Sequence, residues 1–171
     1  AKTAKDYGAE VPFIRPAKLS DDYTGNNAVI THAIKWIMDH GWELSTVCCI
    51  YATSVFLTKE DLKKGLDVMI SGNWEYALSV TDYEYPISRS FKKLPEGGLE
   101  MFFPEHVNSR SQDLSEALHD AAQFYWGKPG AWLSGLKIFE RHSCPIKISR
   151  WLVQDIDTED DLKRAELLLS L

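Results

Sequence analysis

Apolar positions change their spacing from one segment of the chain to the next, and each spacing predicts an element. Ala28, Ile30, Ala33, Ile34, Ile37 and Met38 recur at helical spacing before Gly41, which predicts an amphipathic helix. Thr46 to Tyr51 is instead a short continuous apolar run, the pattern of a buried parallel strand, expected near the centre of a sheet. Thr58 opens a second helix to about Ser71, with Asp61 in capping-box spacing and Gly72-Asn73 behind it. Further strands are predicted at Tyr76–Thr81, Gln123–Trp126 and Ile146–Ile148, a short helix at Pro129–Leu133, and a closing helix from Glu159. At the start, Ala1–Tyr7 reads as a helix end stopped by Gly8, with Val11–Ile14 as a short strand and a polar loop from Arg15 to Asn27.

One region breaks the alternation of strand and helix. Ile87 to Phe103 carries two extended pieces around Pro95-Glu96-Gly97-Gly98, which predicts a hairpin-like insertion over 84–108 that serves as a lid or a dimerisation contact. The remaining order predicts an α/β fold, a mostly parallel sheet in three layers with right-handed crossovers. At 171 residues, 44% of them hydrophobic, the chain is expected to form a single domain over 1–171.

Charge and cysteine content narrow the partners. A net charge of −6 without a basic run argues against nucleic acid or an anionic membrane as the main partner, so an anionic ligand has to be held locally. No apolar run is long enough to span a bilayer and no signal-like segment opens the chain, so it reads as cytoplasmic. The three cysteines, Cys48, Cys49 and Cys144, suit neither a disulfide framework nor a Cys-x-x-Cys zinc site and are expected to be reduced.

The sharpest chemical signal is Asp155-Ile156-Asp157 before the last helix. Alternate residues of an extended segment point the same way, so both carboxylates can face one hard divalent cation. Mg²⁺ is commonly held by one or two carboxylates plus substrate phosphates. Thr158 and Asp161 equally explain the segment as an acidic helix start with a capping box. Ligands of open parallel sheets sit beyond the strand ends, where Arg15, Tyr51–Ser54, the loop after Thr81 and the Asp pair can converge.

Several segments then carry a family pattern in order. Tyr7–Ala17 with Leu19 and Asp22, Cys49–Thr53, Ser109–Leu114, His119-Asp120, Gln123–Trp126 and Val153–Thr158 resemble the acylneuraminate cytidylyltransferase family, and within it the pseudaminic acid branch. The resemblance implies a Rossmann-like nucleotidyltransferase fold and a homodimer. It implies Mg²⁺-dependent transfer of CMP from CTP to the anomeric hydroxyl of a nine-carbon α-keto acid sugar, releasing pyrophosphate, for surface or flagellar glycoconjugates. It implies that Asp155 and Asp157 bind the metal, and that Arg15, Asp22 and Thr53 lie at the CTP site. Arg110 is implied to neutralise phosphate charge or bind the sugar carboxylate. Tyr51, Gln112, His119, Asp120, Gln123 and Tyr125 are implied sugar contacts.

The departures from the family pattern bear on the sugar and on the nucleotide. Tyr51 stands where the sialic acid branch has Gln, and Ala121–Tyr125 where it has Asn-Gly-Ala-Ile-Tyr, both in the acceptor pocket. Val55, Leu118 and Ala122 depart from the pseudaminic branch itself. N-acetylneuraminic and legionaminic acids are the alternative substrates, a 3-deoxy-manno-octulosonate enzyme is a more distant one, and a non-catalytic binding or oligomerisation module is the alternative of another class. The resemblance also places the family's phosphate-gripping loop ahead of Ala1, so the stretch 1–171 alone is expected to hold one side of the nucleotide site.

Overall fold

Residues 1–170 are described by a computed structural model. Six strands and five α-helices follow one another in the order α1 (Lys2–Asp6), α2 (Asn26–Asp39), β1 (Val47–Ile50), α3 (Lys59–Ser71), β2 (Tyr76–Asp82), β3 (Phe91–Lys93), β4 (Leu99–Met101), β5 (Leu118–Gly127), α4 (Pro129–Ser134), β6 (Ser143–Lys147) and α5 (Glu159–Leu169). The residues of the chain group into two compact units. The first is 1–47 with 127–137, and the second is 48–126 with 138–171.

In the first unit, α2 buries Ile30 and Ile34, and α4 buries Ala131 and Trp132. Thr31 Oγ1 donates to the Trp132 carbonyl at 3.2 Å, tying the two helices together. Gly135, with φ +69, closes α4 in the left-handed conformation that a glycine C-cap adopts without penalty. The strand expected at Val11–Ile14 does not form. Pro12 has no N–H to offer a ladder, and the Phe13 ring packs against His32 and Trp36 instead, at 5.4 and 5.0 Å between centroids.

The second unit is built on a mixed four-stranded sheet in the order β1-β5-β2-β6. β2 and β6 run parallel, with Tyr76 opposite Ser143 and Val80 opposite Lys147. β2 is buried from Tyr76 through Thr81, and its Ala77 packs with Met69, Phe124, Ile146 and Ile148 in the core. β1 lies at the edge, not the centre, with Ile50 half exposed. A continuous apolar run reports burial on both faces but not the place in the strand order; the longer β5 and β2 take the middle.

Helix α3 starts where the capping box predicts, Thr58 Oγ1 accepting the Asp61 N–H at 3.1 Å. It approaches the sheet closely because position 65 is glycine: a Cβ there would stand 2.8 Å from Phe124 Cε2. Trp126 Nε1 adds a hydrogen bond to the Leu62 carbonyl at 3.0 Å. The insertion is an antiparallel hairpin of β3 and β4, with Lys92 and Glu100 opposite each other and ion-paired at 3.0 Å. Phe91, Leu99, Phe102 and Val107 of this segment are exposed.

The three cysteines are free thiols. Burial, reinforced by Cys49, pushes the Cys48 thiol from 9.0 up to about 12. The folded chain therefore keeps a proton that the unfolded chain releases above pH 9, and stability falls as pH rises through that window. Thermal melting between pH 8 and pH 11 is expected to show a falling midpoint, and Cys48→Ser to fall less steeply than the wild type.

Candidate active site

The second unit holds a cavity of about 490 Å³. Three pieces of chain shape it. Thr81 and Asp82 come from the end of β2, His119–Ala122 from the start of β5, and Arg150, Trp151 and Val153–Asp155 from the segment between β6 and α5. Glu84 and, from α5, Arg164 complete the lining.

Local hydrogen bonds fix each piece. The buried Thr81 donates from Oγ1 to the Ile148 carbonyl at 3.0 Å, and Ile148 N–H donates to the Val80 carbonyl at 2.8 Å. These hold the chain leaving β6 beside the end of β2. A 3-10 turn over Arg150–Leu152 follows, and its Leu152 carbonyl accepts from the side-chain amide of Gln123. Gln123 itself is 2% exposed.

His119 and Asp120 sit at the cavity mouth of β5. His119 Nδ1 lies 2.8 Å from the Asp120 carbonyl, and since a carbonyl only accepts, Nδ1 carries the proton. Its ring rests against Tyr83, 4.8 Å between centroids. Asp120 Oδ1 accepts the Ala122 N–H at 2.9 Å, while Oδ2 accepts the Tyr125 hydroxyl. Burial pushes the Tyr125 phenol far up, and Asp120 and Tyr51 push it further, so it stays a proton donor. Ala122 pays for this turn with φ +50, a left-handed conformation that a Cβ disfavours.

The lining is electrostatically mixed. Asp82, Glu84, Asp120 and Asp155 face Arg150 and Arg164 across one space. Asp82 is shared loosely by Lys147 at 3.7 Å and Arg150 at 3.9 Å. Lys147 is held more closely by Glu116, whose hydrogen bond raises its pKa.

No family model matches the chain. It is 41% identical over 167 residues to the pseudaminic acid cytidylyltransferase of Campylobacter jejuni serotype O:2, a match that covers 98% of this chain and 72% of that protein. The chain belongs to the pseudaminic acid cytidylyltransferase family. The corresponding protein of serotype O:23/36 is 40% identical over the same share of both chains. A Helicobacter pylori protein named as both pseudaminic acid cytidylyltransferase and UDP-2,4-diacetamido-2,4,6-trideoxy-beta-L-altropyranose hydrolase is 32% identical over 154 residues, 29% of its length. Among solved structures, a CMP:2-keto-3-deoxy-manno-octonic acid synthetase complexed with CTP superposes with a TM-score of 0.62, over 99% of this chain and 76% of that one. At 9% identity this match shows the nucleotidyltransferase fold alone.

Within this member of the pseudaminic acid cytidylyltransferase family, His119, Asp120 and Asp155 line the cavity. Asp157 does not, although the alternation holds, with exposed Asp155 and Asp157 flanking half-buried Ile156. The strand predicted at Ile146–Ile148 ends at Lys147, and the carboxylates follow it, as expected, on irregular chain after the 3-10 turn. The capping box also forms, Thr158 and Asp161 bonding reciprocally, and these bonds lower the Asp161 pKa. Gln123, Tyr125 and Tyr51 do not line the cavity: the first two are buried, and the Tyr51 ring packs tilted against Tyr125, 5.4 Å between centroids.

Arg110 forms a two-pronged pair with Asp113, at 2.7 and 3.2 Å, and Gln112 lies exposed in the same 3-10 turn. Thr53 lies in the turn after β1, its carbonyl accepting from Val55 N–H at 2.8 Å. Arg15 and Asp22 belong to the first unit, where Arg15 Nε donates to Ser20 Oγ at 3.1 Å and Asp22 is exposed. The loop expected after Thr81 supplies Asp82 and Glu84 to the lining, and sequence reasoning missed Arg150, Trp151 and Arg164. Arg150 and Trp151 had a signal, standing just upstream of the Asp pair on the same loop; Arg164, on a charged helix, had none.

Two substitutions test the strained corner of β5. Ala122→Gly is expected to raise unfolding free energy by about 1 kcal/mol by relieving the left-handed Cβ. Tyr125→Phe is expected to lower it by roughly 2 kcal/mol through loss of the bond to the Asp120 carboxylate. Urea unfolding measures both.

Proposed function

We propose that this protein transfers CMP from CTP to the anomeric hydroxyl of a nine-carbon α-keto acid sugar, pseudaminic acid, releasing pyrophosphate. The observation that carries this is a cavity lined by His119, Asp120 and Asp155 in a chain 41% identical over 98% of its length to a pseudaminic acid cytidylyltransferase. No protein nucleophile is required. The sugar hydroxyl attacks the α-phosphorus, so the protein's contribution is alignment and stabilisation of charge.

The donor set fits Mg²⁺. Among the described residues no group of three or more His, Cys, Asp or Glu side chains gathers as a complete metal cage. Asp155 on the cavity wall and Asp157 two residues on are hard oxygen donors of the kind Mg²⁺ takes beside phosphates. When bound, the ion would neutralise charge on the triphosphate. With its Nδ1 proton donated to the Asp120 carbonyl, His119 offers Nε2, and Asp120 its remaining carboxylate lone pairs, as acceptors for sugar hydroxyls or amides. Arg110 is proposed to meet phosphate charge, Gln112 to brace its turn, and Arg15, Asp22 and Thr53 to contact CTP. The protein is further proposed to act as a homodimer through the exposed apolar side chains of the 84–108 hairpin. No helix among the described residues is long and apolar enough to cross a membrane.

Pyrophosphate release with CTP, Mg²⁺ and a panel of pseudaminic, legionaminic and N-acetylneuraminic acids tests the function. Pseudaminic acid is expected to give the highest kcat/KM; turnover of none of the three would overturn the reading. Asp155→Asn and Asp157→Asn are each expected to lower the rate at least about tenfold at limiting Mg²⁺, with excess metal restoring part of it. Unchanged activity at limiting Mg²⁺ would remove the ligand role. Sedimentation velocity is expected to give a dimer.

A further inference from the structure

The cavity poses a charge problem that the proposed reaction sharpens. Its lining holds the carboxylates of Asp82, Glu84, Asp120 and Asp155, yet the proposed acceptor is itself an acid. Repulsion would keep that sugar out unless cations in the same space meet its carboxylate. Arg110 is not in that position, because it does not line the cavity and its guanidinium is engaged on Asp113. The two guanidiniums that do line it are Arg150, from the turn after β6, and Arg164, from α5.

Both are uncommitted. Arg150 approaches Asp82 only to 3.9 Å, beyond hydrogen-bond reach, and Asp82 already lies 3.7 Å from Lys147. Neither guanidinium donates a hydrogen bond to protein among the described residues, so the planar donor forks of both remain available. Arg150 is also placed with precision, because the turn that carries it is pinned through the Leu152 carbonyl by the buried Gln123 amide. The neighbouring carboxylates are less free to compete: both oxygens of Asp120 accept hydrogen bonds, and Asp155 Oδ1 accepts the Ile156 N–H at 3.1 Å.

We infer that Arg150 and Arg164 form the receptor for the carboxylate of the acceptor sugar. This inference rests on the function proposed above and adds residues that it does not name. A planar carboxylate matches the guanidinium fork, and such charge-assisted pairs are the stronger hydrogen bonds of proteins. The inference also separates the two anions of the reaction. The sugar acid meets the arginines, while the triphosphate is left to the Asp155–Asp157 side and to CTP contacts elsewhere.

Steady-state kinetics of Arg150→Met and Arg164→Met, with the sugar and CTP varied separately, test it. Each is expected to raise the sugar KM about 30-fold with the CTP KM changed less than about twofold, and Arg150→Lys to recover part of the loss. With the sugar's carboxylate converted to a carboxamide, wild type and both Met variants are expected to become nearly equal. Thermal midpoints within a few degrees of wild type confirm that the variants fold. A rise in the CTP KM instead, an unchanged sugar KM, or a penalty that persists with the carboxamide would each overturn the carboxylate receptor while leaving the function standing. Failure of the wild type itself to turn over any acidic sugar would overturn both.

Discussion

The second unit turns on Gln123, a polar residue in the middle of a buried strand. Its backbone carbonyl accepts from Tyr51 N–H at 3.0 Å and from Ser54 Oγ at 2.8 Å, fixing the exit of β1. Its N–H and that of Phe124 both donate to Ser79 Oγ at 3.1 Å, fixing β2. The side-chain amide reaches the Leu152 carbonyl and so fixes the turn that walls the cavity. One residue thereby sets the positions of three neighbouring pieces of chain. The arrangement leaves Gln123 Oε1 buried without a partner, at a cost on the order of 1–3 kcal/mol. An apolar residue would avoid that cost and release the turn.

The cavity inherits its shape from this node. One residue before Gln123, Ala122 takes a left-handed conformation, and the kink brings Asp120 back within reach of both the Ala122 N–H and the Tyr125 hydroxyl. Tyr125 is kept protonated by burial and by its partners, so it acts on Asp120 as a fixed donor. His119 and Asp120 consequently enter the cavity from a rigid strand. On the opposite wall, Arg150 and Trp151 enter from the 3-10 turn pinned by Gln123, and Asp155 from the irregular chain that follows it. Alignment and stabilisation of charge are what transfer without a protein nucleophile demands of the residues around it.

Much of this was legible in the sequence, for identifiable reasons. The helices α2, α3 and α5 follow from periodicity and from the Thr58 and Thr158 caps, which are local interactions. The hairpin follows from its Pro-Glu-Gly-Gly turn. What local pattern does not encode is strand order, and so β1 was expected at the centre and stands at the edge. The start of β5 was hidden because His119 and Asp120 break an apolar run, while the strand carries them at its cavity end. At the site, spacing pointed to Asp155 and the family resemblance to His119 and Asp120, and all three line the cavity. The resemblance did not separate side chains that line the cavity from Gln123 and Tyr125, whose contacts brace the same wall. Arg164 was invisible because a charged residue on an acidic helix looks like any solvated face until the fold gives it a cavity.

Whether sugar and nucleotide are joined at this cavity is read most directly from a crystal structure of the enzyme with its CMP-sugar product. The pyranose is expected between His119–Ala122 and the Arg150–Asp155 segment, its carboxylate within hydrogen-bond distance of a guanidinium. A product whose sugar lies elsewhere on the protein, leaving this cavity to solvent, would contradict that placement.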